Sequence, residues 1–265
     1  MSSLASPSAS SSWALDHFVF DPATTFLGSF HACCFGILGY LGLLWLLKRY
    51  VKTDWGARLQ PFLVYHNASL CIGSAILLFF TVQELVHLTK KSSLWEVYCD
   101  EEARFTGGRI YFFYYINYLF KWWELLDTVL LVLRKKPTPF LHVYHHSATL
   151  FLCWTQMYYE SCMQWVLIVI NLLIHVFMYY YYAATAHGIK VWWKEYLTGG
   201  QITQFIIGLT NCIGVFTMRL LRDMLNLNWS YCHGSYKGGL IGIFFIFTYL
   251  LLFVKLYKDK YKKTD

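Results

Sequence analysis

Four short runs of this chain hold nearly all the side chains that could do chemistry. Residues 121–128 read Lys-Trp-Trp-Glu-Leu-Leu-Asp-Thr, and residues 142–146 read His-Val-Tyr-His-His. Next come Asn171, His175, Met178, Tyr179 and Tyr182, and then Thr198, Gln201 and Gln204. All four runs lie in or beside apolar stretches. An ionisable group in lipid costs at least ~2.5–3.5 kcal/mol on insertion scales, so it faces a cavity or a partner. A helix gathers each run onto one face. At ~100° per residue, Lys121, Glu124, Asp127 and Thr128 fall within about a third of the circumference. His142, His145 and His146 span about 100°, and Asn171, His175, Met178 and Tyr182 about 60°. Imidazoles beside an ammonium and carboxylates suit nucleophilic or acid–base work. Each run also has a plainer reading: a buried ion pair, a hydrogen-bonded core histidine, an interfacial tyrosine belt, or amides joining helices. Their common depth favours a site.

The elements that position them are membrane spans. The chain has 265 residues, 57% hydrophobic and 14% charged, against roughly 25% charged in an ordinary soluble domain. Apolar runs near 20 residues match ~30 Å of hydrocarbon. We place seven spans near 27–47, 60–83, 110–133, 139–159, 164–185, 197–220 and 237–257. Residues 1–26 read as a partly disordered lumenal tail, of which 1–16 are rich in Ser, Ala and Pro and have no basic leader of a signal peptide. Residues 27–257 form one helical domain, and 258–265 a basic cytosolic tail. The net charge of +7 flanks apolar segments rather than forming a patch, which argues against nucleic acid as a partner.

Of the Lys and Arg residues, fourteen fall on one side of this arrangement, seven on the other, and Lys121 lies within. The positive-inside rule puts the fourteen in the cytosol, with the N-terminus lumenal and the C-terminus cytosolic. The chain ends Lys262-Lys263-Thr-Asp, a dilysine that reads as a retrieval signal for the endoplasmic reticulum or as a lipid-attracted basic cluster. All four chemical runs then lie in the cytosolic half, and the lumenal halves read as almost purely apolar. The expected result is a polar chamber open to the cytosol above a hydrophobic tunnel. Sequons stand at Asn67 and Asn228. Of eight cysteines, only Cys99 and Cys232 sit well inside lumenal loops, where oxidising conditions favour pairing.

These residues resemble the fatty acid elongase (ELO) family from span two to span seven. Lys121, Glu124, Asp127 and Thr128 match its Lys-x-x-Glu-x-x-Asp-Thr pattern. His142, His145 and His146 match its His-x-x-His-His box. Asn171, His175, Met178, Tyr179, Tyr181 and Tyr182 match its third motif, and Thr198, Gln201 and Gln204 its fourth. Residues 188–195 resemble the fungal type. The resemblance implies an all-α membrane protein of seven helices, with helices two to seven in a six-helix barrel around an acyl tunnel. A ring in that order sets span two beside span seven, which would bring the loops of Cys99 and Cys232 together. The implied reaction is acyl-CoA plus malonyl-CoA to 3-oxoacyl-CoA, CoA and carbon dioxide, with no metal or other cofactor. Implied partners are membrane lipid, the reductases and dehydratase of an elongation cycle, and a second copy in a homodimer.

For mechanism, His145 is the candidate nucleophile and His175 the group that stabilises the oxyanion or holds the second substrate. His142 and His146 would tune the attacking ring, and the remaining motif residues would bind substrate. A di-iron desaturase or hydroxylase also uses His-x-x-His-His boxes, because imidazole suits iron. It needs roughly twice the histidines available here, since His66 and His187 stand apart from the motifs. A seven-span receptor or transporter fits the orientation but not the histidine cluster, and paired spans lack the Gly or Pro breaks many transporters show.

Overall fold

The computed structural model describes residues 15–261, and among these it contains eight helices and no strand. They are α1 (Phe30–Tyr50), α2 (Gly56–Lys91), α3 (Leu94–Cys99), α4 (Gly108–Leu133), α5 (Phe140–Tyr158), α6 (Gln164–Ala186), α7 (Lys194–Leu225) and α8 (Tyr236–Tyr261). Each expected span coincides with one long helix, although 27–47 begins three residues before α1 and 139–159 overruns α5 by one residue at each end, and the six-residue α3 is additional. The dilysine at Lys262 and Lys263 lies outside the described residues.

Local signals set the ends. Ser29 caps α1 by accepting from Ala32 N at 3.1 Å. Ser93 and Glu96 form a capping box at α3, which satisfies donors that a helix start leaves free. Pro139 caps α5, and Asn226 ends α7 in the left-handed conformation.

Five helices, α1, α2, α6, α7 and α8, are long and apolar enough to cross a membrane, and the chain is a multi-pass membrane protein. Their outward faces expose Phe35, Ile72, Phe79, Phe177 and Phe244, as a lipid-facing surface does. The other two long helices are those bearing the charged and histidine motifs. Arg109, Lys121, Glu124 and Asp127 interrupt α4, and His142, His145 and His146 interrupt α5.

Packing differs from sequence order. α2 lies against α4 and α6, α6 against α7, α7 against α8, α8 against α5, and α5 against α4, which returns to α2. α1 stands outside, against α4 and α5. It approaches closely at Gly36, where a Cβ would lie 2.0 Å from the Trp122 ring. Span two therefore does not neighbour span seven, contrary to the expected order. The loops meet for another reason: the segment carrying α3 reaches across the end of the bundle. Cys99 is joined to Cys232 by a disulfide. His233 N donates to Cys99 O at 2.7 Å, Ser235 N to Tyr159 O at 3.2 Å, and the Tyr98 hydroxyl to Asn211 on α7.

The three loops at this disulfide end thus close as one unit. Asp100 tightens it by accepting from Arg104 N and Phe105 N at 2.7 and 2.9 Å. Burial pushes its carboxyl above the usual range, against those bonds and the nearby His233. The described part of the expected N-terminal tail, residues 15–26, packs here too. Phe18 stacks on Tyr115, the Tyr115 hydroxyl donates to Phe26 O at 3.0 Å, and Gly108 N donates to Phe18 O at 2.7 Å.

Candidate functional site

The motif helices α4, α5, α6 and α7 turn their polar stripes toward one another at the end opposite the disulfide. Lys121 and Glu124, one turn apart on α4, pair at 2.7 Å and are 3% and 4% exposed. Lys121 Nζ also donates to Asn171 Oδ1 of α6 at 3.0 Å. One turn further along α6, each ring nitrogen of His175 has one close polar neighbour. Nε2 lies 3.3 Å from Asn171 Nδ2. Nδ1 lies 3.2 Å from Glu124 Oε1, an ion-pair distance without hydrogen-bond alignment. Four residues on two helices therefore form one closed network around a single carboxylate.

Asp127 and Thr128 share the α4 face but have other neighbours. Asp127 Oδ1 lies 2.6 Å from His66 Nε2 on α2, and its Oδ2 accepts from Tyr179 OH at 2.7 Å. Trp123 Nε1 donates to His66 Nδ1 at 3.1 Å. His66 is thus not isolated, contrary to the sequence reading; it is 1% exposed and anchors the carboxylate of the motif. No spacing rule links residues 61 positions apart, so only the packing of α2 on α4 reveals it. Thr128 faces outward and accepts from Tyr40 of α1 at 2.7 Å.

The histidines of α5 are arranged differently from His175. The His142 and His146 rings lie 4.5 Å apart, and the His145 ring sits 4.7 Å from Tyr249, between Phe205 and Phe253. His142 Nε2 and His145 Nδ1 are buried without a hydrogen-bond partner. Tyr249, Phe205 and Phe253 escaped the sequence reading, because aromatic residues on apolar helices carry no distinguishing pattern.

Two cavities meet at His145. The first, about 190 Å³, is bounded by Glu124, Asp127, the three histidines of α5, His175, Met178, Tyr182, Thr198, Gln201 and Gln204, with Lys194 and Lys260 at its edge. Gln201 Nε2 approaches Met178 Sδ at 3.5 Å. The second, about 80 Å³, extends from Lys121 and His145 toward the disulfide end. Only His145, Asn171, Gln204 and Phe205 line both. Of the expected site residues, Thr128 and Tyr179 line neither. The second cavity also corrects one expectation, since Asn117, Thr149, Gln156 and Gln164 line it among apolar residues. Among the described residues, no group of three or more His, Cys, Asp or Glu is arranged to hold a metal ion.

This geometry suits acyl transfer: a free imidazole nitrogen at the junction of a polar chamber and a narrow channel, facing a second imidazole fixed by a carboxylate. The comparisons agree with it. Residues 25–265 match the model of the ELO: GNS1/SUR4 family. Fatty acid elongase A of Dictyostelium discoideum is 35% identical over 225 residues, covering 85% of this chain and 81% of that one. Fatty acid elongase sre1 of the same organism is 31% identical over 227 residues, covering 85% and 82%. Very long chain fatty acid elongase 5 of Xenopus laevis is 29% identical over 243 residues, covering 84% and 73%.

Proposed function

We propose, for a chain that belongs to the ELO (GNS1/SUR4) family, a reaction path through an acyl-histidine at His145. The chain is a condensing enzyme of fatty acid elongation, a 3-oxoacyl-CoA synthase of the very-long-chain type. The observation that carries the path is the position of His145. It alone among the histidines borders both cavities, and its Nδ1 has no protein partner. An acyl-CoA with its chain in the narrow cavity and its CoA toward the wider one would present its thioester there.

In this path, the lone pair of a His145 ring nitrogen attacks the thioester carbon. The carbon–sulfur bond breaks, the imidazole sheds its proton, and CoA leaves as the thiol. Malonyl-CoA then loses carbon dioxide. The electron pair of the broken bond forms an enolate that attacks the acyl carbon, and the carbon–nitrogen bond breaks as the imidazole regains a proton. His175 would orient the malonyl thioester or stabilise its enolate. Glu124 and Asn171 fix its ring, so no reorganisation is needed as charge develops. Asp127, held by His66 and Tyr179, keeps α4 in register with α2 and α6.

In the same reading α2 and α4–α8 enclose the acyl tunnel, all seven long helices cross the endoplasmic reticulum membrane, the disulfide end is lumenal and the histidine end cytosolic. The substrates are acyl-CoA and malonyl-CoA, without a metal. The enzymes of the remaining elongation steps and a second copy of the chain are its proposed partners. Adding acyl-CoA alone to purified protein tests the path. It should release CoA and leave an acyl adduct at His145 by intact mass and peptide mapping, and His145→Ala should remove both. Condensation that proceeds with no adduct and no CoA release in the absence of malonyl-CoA would require direct attack instead.

A further inference from the structure

The far end of the narrow cavity is polar, where an alkyl chain would meet only carbon in a plain hydrocarbon tunnel. Three side chains reach one level there. Lys121 and Asn171 are bonded to each other, and Tyr114 and Gln164 each lie seven residues from them, ~10 Å toward the disulfide end. Asn117, between Lys121 and Tyr114, approaches Cys153 of α5 at 3.8 Å. That contact sets the register of α5 and puts Gln156 at the same level, ~16 Å from His145. Tyr114, Asn117, Gln156 and Gln164 all line the cavity and are 5%, 2%, 7% and 4% exposed.

Their hydrogen bonding is incomplete. Gln164 Nε2 and Asn117 Oδ1 are buried without a partner. The Tyr111 hydroxyl beside Gln164 donates to Met157 O at 2.7 Å, and its oxygen is not in hydrogen-bond geometry with Gln164 Nε2. Among the described residues Tyr114 OH makes no hydrogen bond, whereas Gln156 Nε2 is satisfied by Gly238 O at 3.0 Å. A donor and an acceptor left open around one enclosed space cost free energy unless something fills both. A hydroxyl does so, donating to one and accepting from the other.

We propose that this floor is a binding site for a hydroxyl carried on the acyl chain, so that the enzyme takes hydroxyacyl-CoA substrates of defined hydroxyl position. The proposal rests on the acyl-CoA reading above. An extended chain advances ~1.2 Å per bond, a third of the ~3.3–3.6 Å of an extended peptide residue. Allowing hydrogen-bond distance at the floor, ~16 Å from His145 corresponds to roughly ten to thirteen bonds from the thioester carbon, or carbons 11 to 14. A site built to bond a hydroxyl rejects the analogue lacking it, because its own groups are then left unpaired.

The test uses full-length purified protein, malonyl-CoA and tetradecanoyl-CoAs carrying one hydroxyl at successive carbons. The ratio of kcat/KM for each to that of plain tetradecanoyl-CoA should peak at roughly carbons 11–14, at least ~10-fold above the ratio for a hydroxyl nearer the thioester. Gln164→Met and Tyr114→Phe should flatten the peak. A flat profile in the unmutated enzyme, or equal rejection of every hydroxylated chain, overturns the proposal and assigns the open groups to ordered water. That result leaves the condensation reading standing, since plain chains are still elongated. Absence of 3-oxoacyl-CoA from every plain chain overturns both.

Discussion

Replacing Glu124 with Gln removes the negative member of a charge pair that water scarcely reaches. Lys121 and Glu124 stand 2.7 Å apart, a separation at which unit charges attract by about 6 kcal/mol at an effective dielectric of ~20. Most of that offsets the cost of taking both charges out of water, so the intact pair adds little net stability. Breaking it is different. In Glu124→Gln the Lys121 ammonium keeps Asn171 Oδ1 at 3.0 Å but no countercharge, and an orphaned buried charge costs ~3–5 kcal/mol. At ~2–4 °C per kcal/mol for a chain of this size, the unfolding midpoint of detergent-solubilised protein should fall by ~6–20 °C. Lys121→Met should lose a similar amount, because it strands the carboxylate. The double variant Lys121→Met/Glu124→Met should recover most of either loss, giving a coupling of at least ~2 kcal/mol in the cycle. Condensation should stay abolished in the double variant even at temperatures where it is folded, since His175 Nδ1 has lost Glu124. Midpoint losses that simply add in the double variant would refute the coupled network, and full activity in it would refute the positioning of His175.

Three further outcomes follow from the closed loops and the orientation. Cys99→Ser/Cys232→Ser opens a bridge spanning 133 residues, for which chain entropy gives an upper bound of ~5 kcal/mol. The midpoint should fall, reduction should reproduce the fall in the unmutated protein, and non-reducing peptide maps should lose the linked pair. Asn228, exposed in the loop 226–235, should carry glycan in cells if that end is lumenal, while Asn67, 4% exposed within α2, should not; Asn228→Gln would then abolish the glycosidase-sensitive mass shift, and glycan at Asn67 would invert the topology. Lys262→Ser/Lys263→Ser should send part of the protein beyond the endoplasmic reticulum, and an unchanged distribution by fractionation would assign retention to another determinant.

The long helices are legible in the sequence because hydrocarbon thickness fixes the length of the apolar runs. The order of those helices around the bundle is not. Neighbours are chosen by side-chain fit, as where Gly208 lets α7 approach Leu167 of α6 so closely that a Cβ would stand 2.5 Å away. No periodicity encodes that choice. The expected order of two beside seven failed, yet the cysteines it was meant to join are bonded. The reason is physical: α3 is only six residues long and spans part of the gap between α2 and α7 from above, through Tyr98 and Asn211. A correct pairing can therefore follow from an incorrect ring, and the disulfide carries no information about which helices pack side by side.

The site shows a different limit. Charge and histidine marked the chamber, because such groups are costly in lipid and therefore rare there. Neutral amides and phenols are cheaper and common, so Tyr114, Asn117, Gln156 and Gln164 did not stand out, and the lower tunnel read as apolar. Yet the same arithmetic that grouped the histidines extends to them. His145, Thr149, Leu152 and Gln156 follow at intervals of four, three and four, and Gln164, Ile168, Asn171 and His175 do likewise on α6. These are the stripes a helix turns toward one interior. The lining of the deep cavity follows from the same stripes, because a face that bears an active site at one end of a helix remains the inward face at the other. His66 lay beyond even that reasoning. It enters through α2, whose inward stripe bears no motif, and its role depends on Asp127, at the edge of the chamber, reaching across to α2 rather than joining the Lys121–Glu124 network.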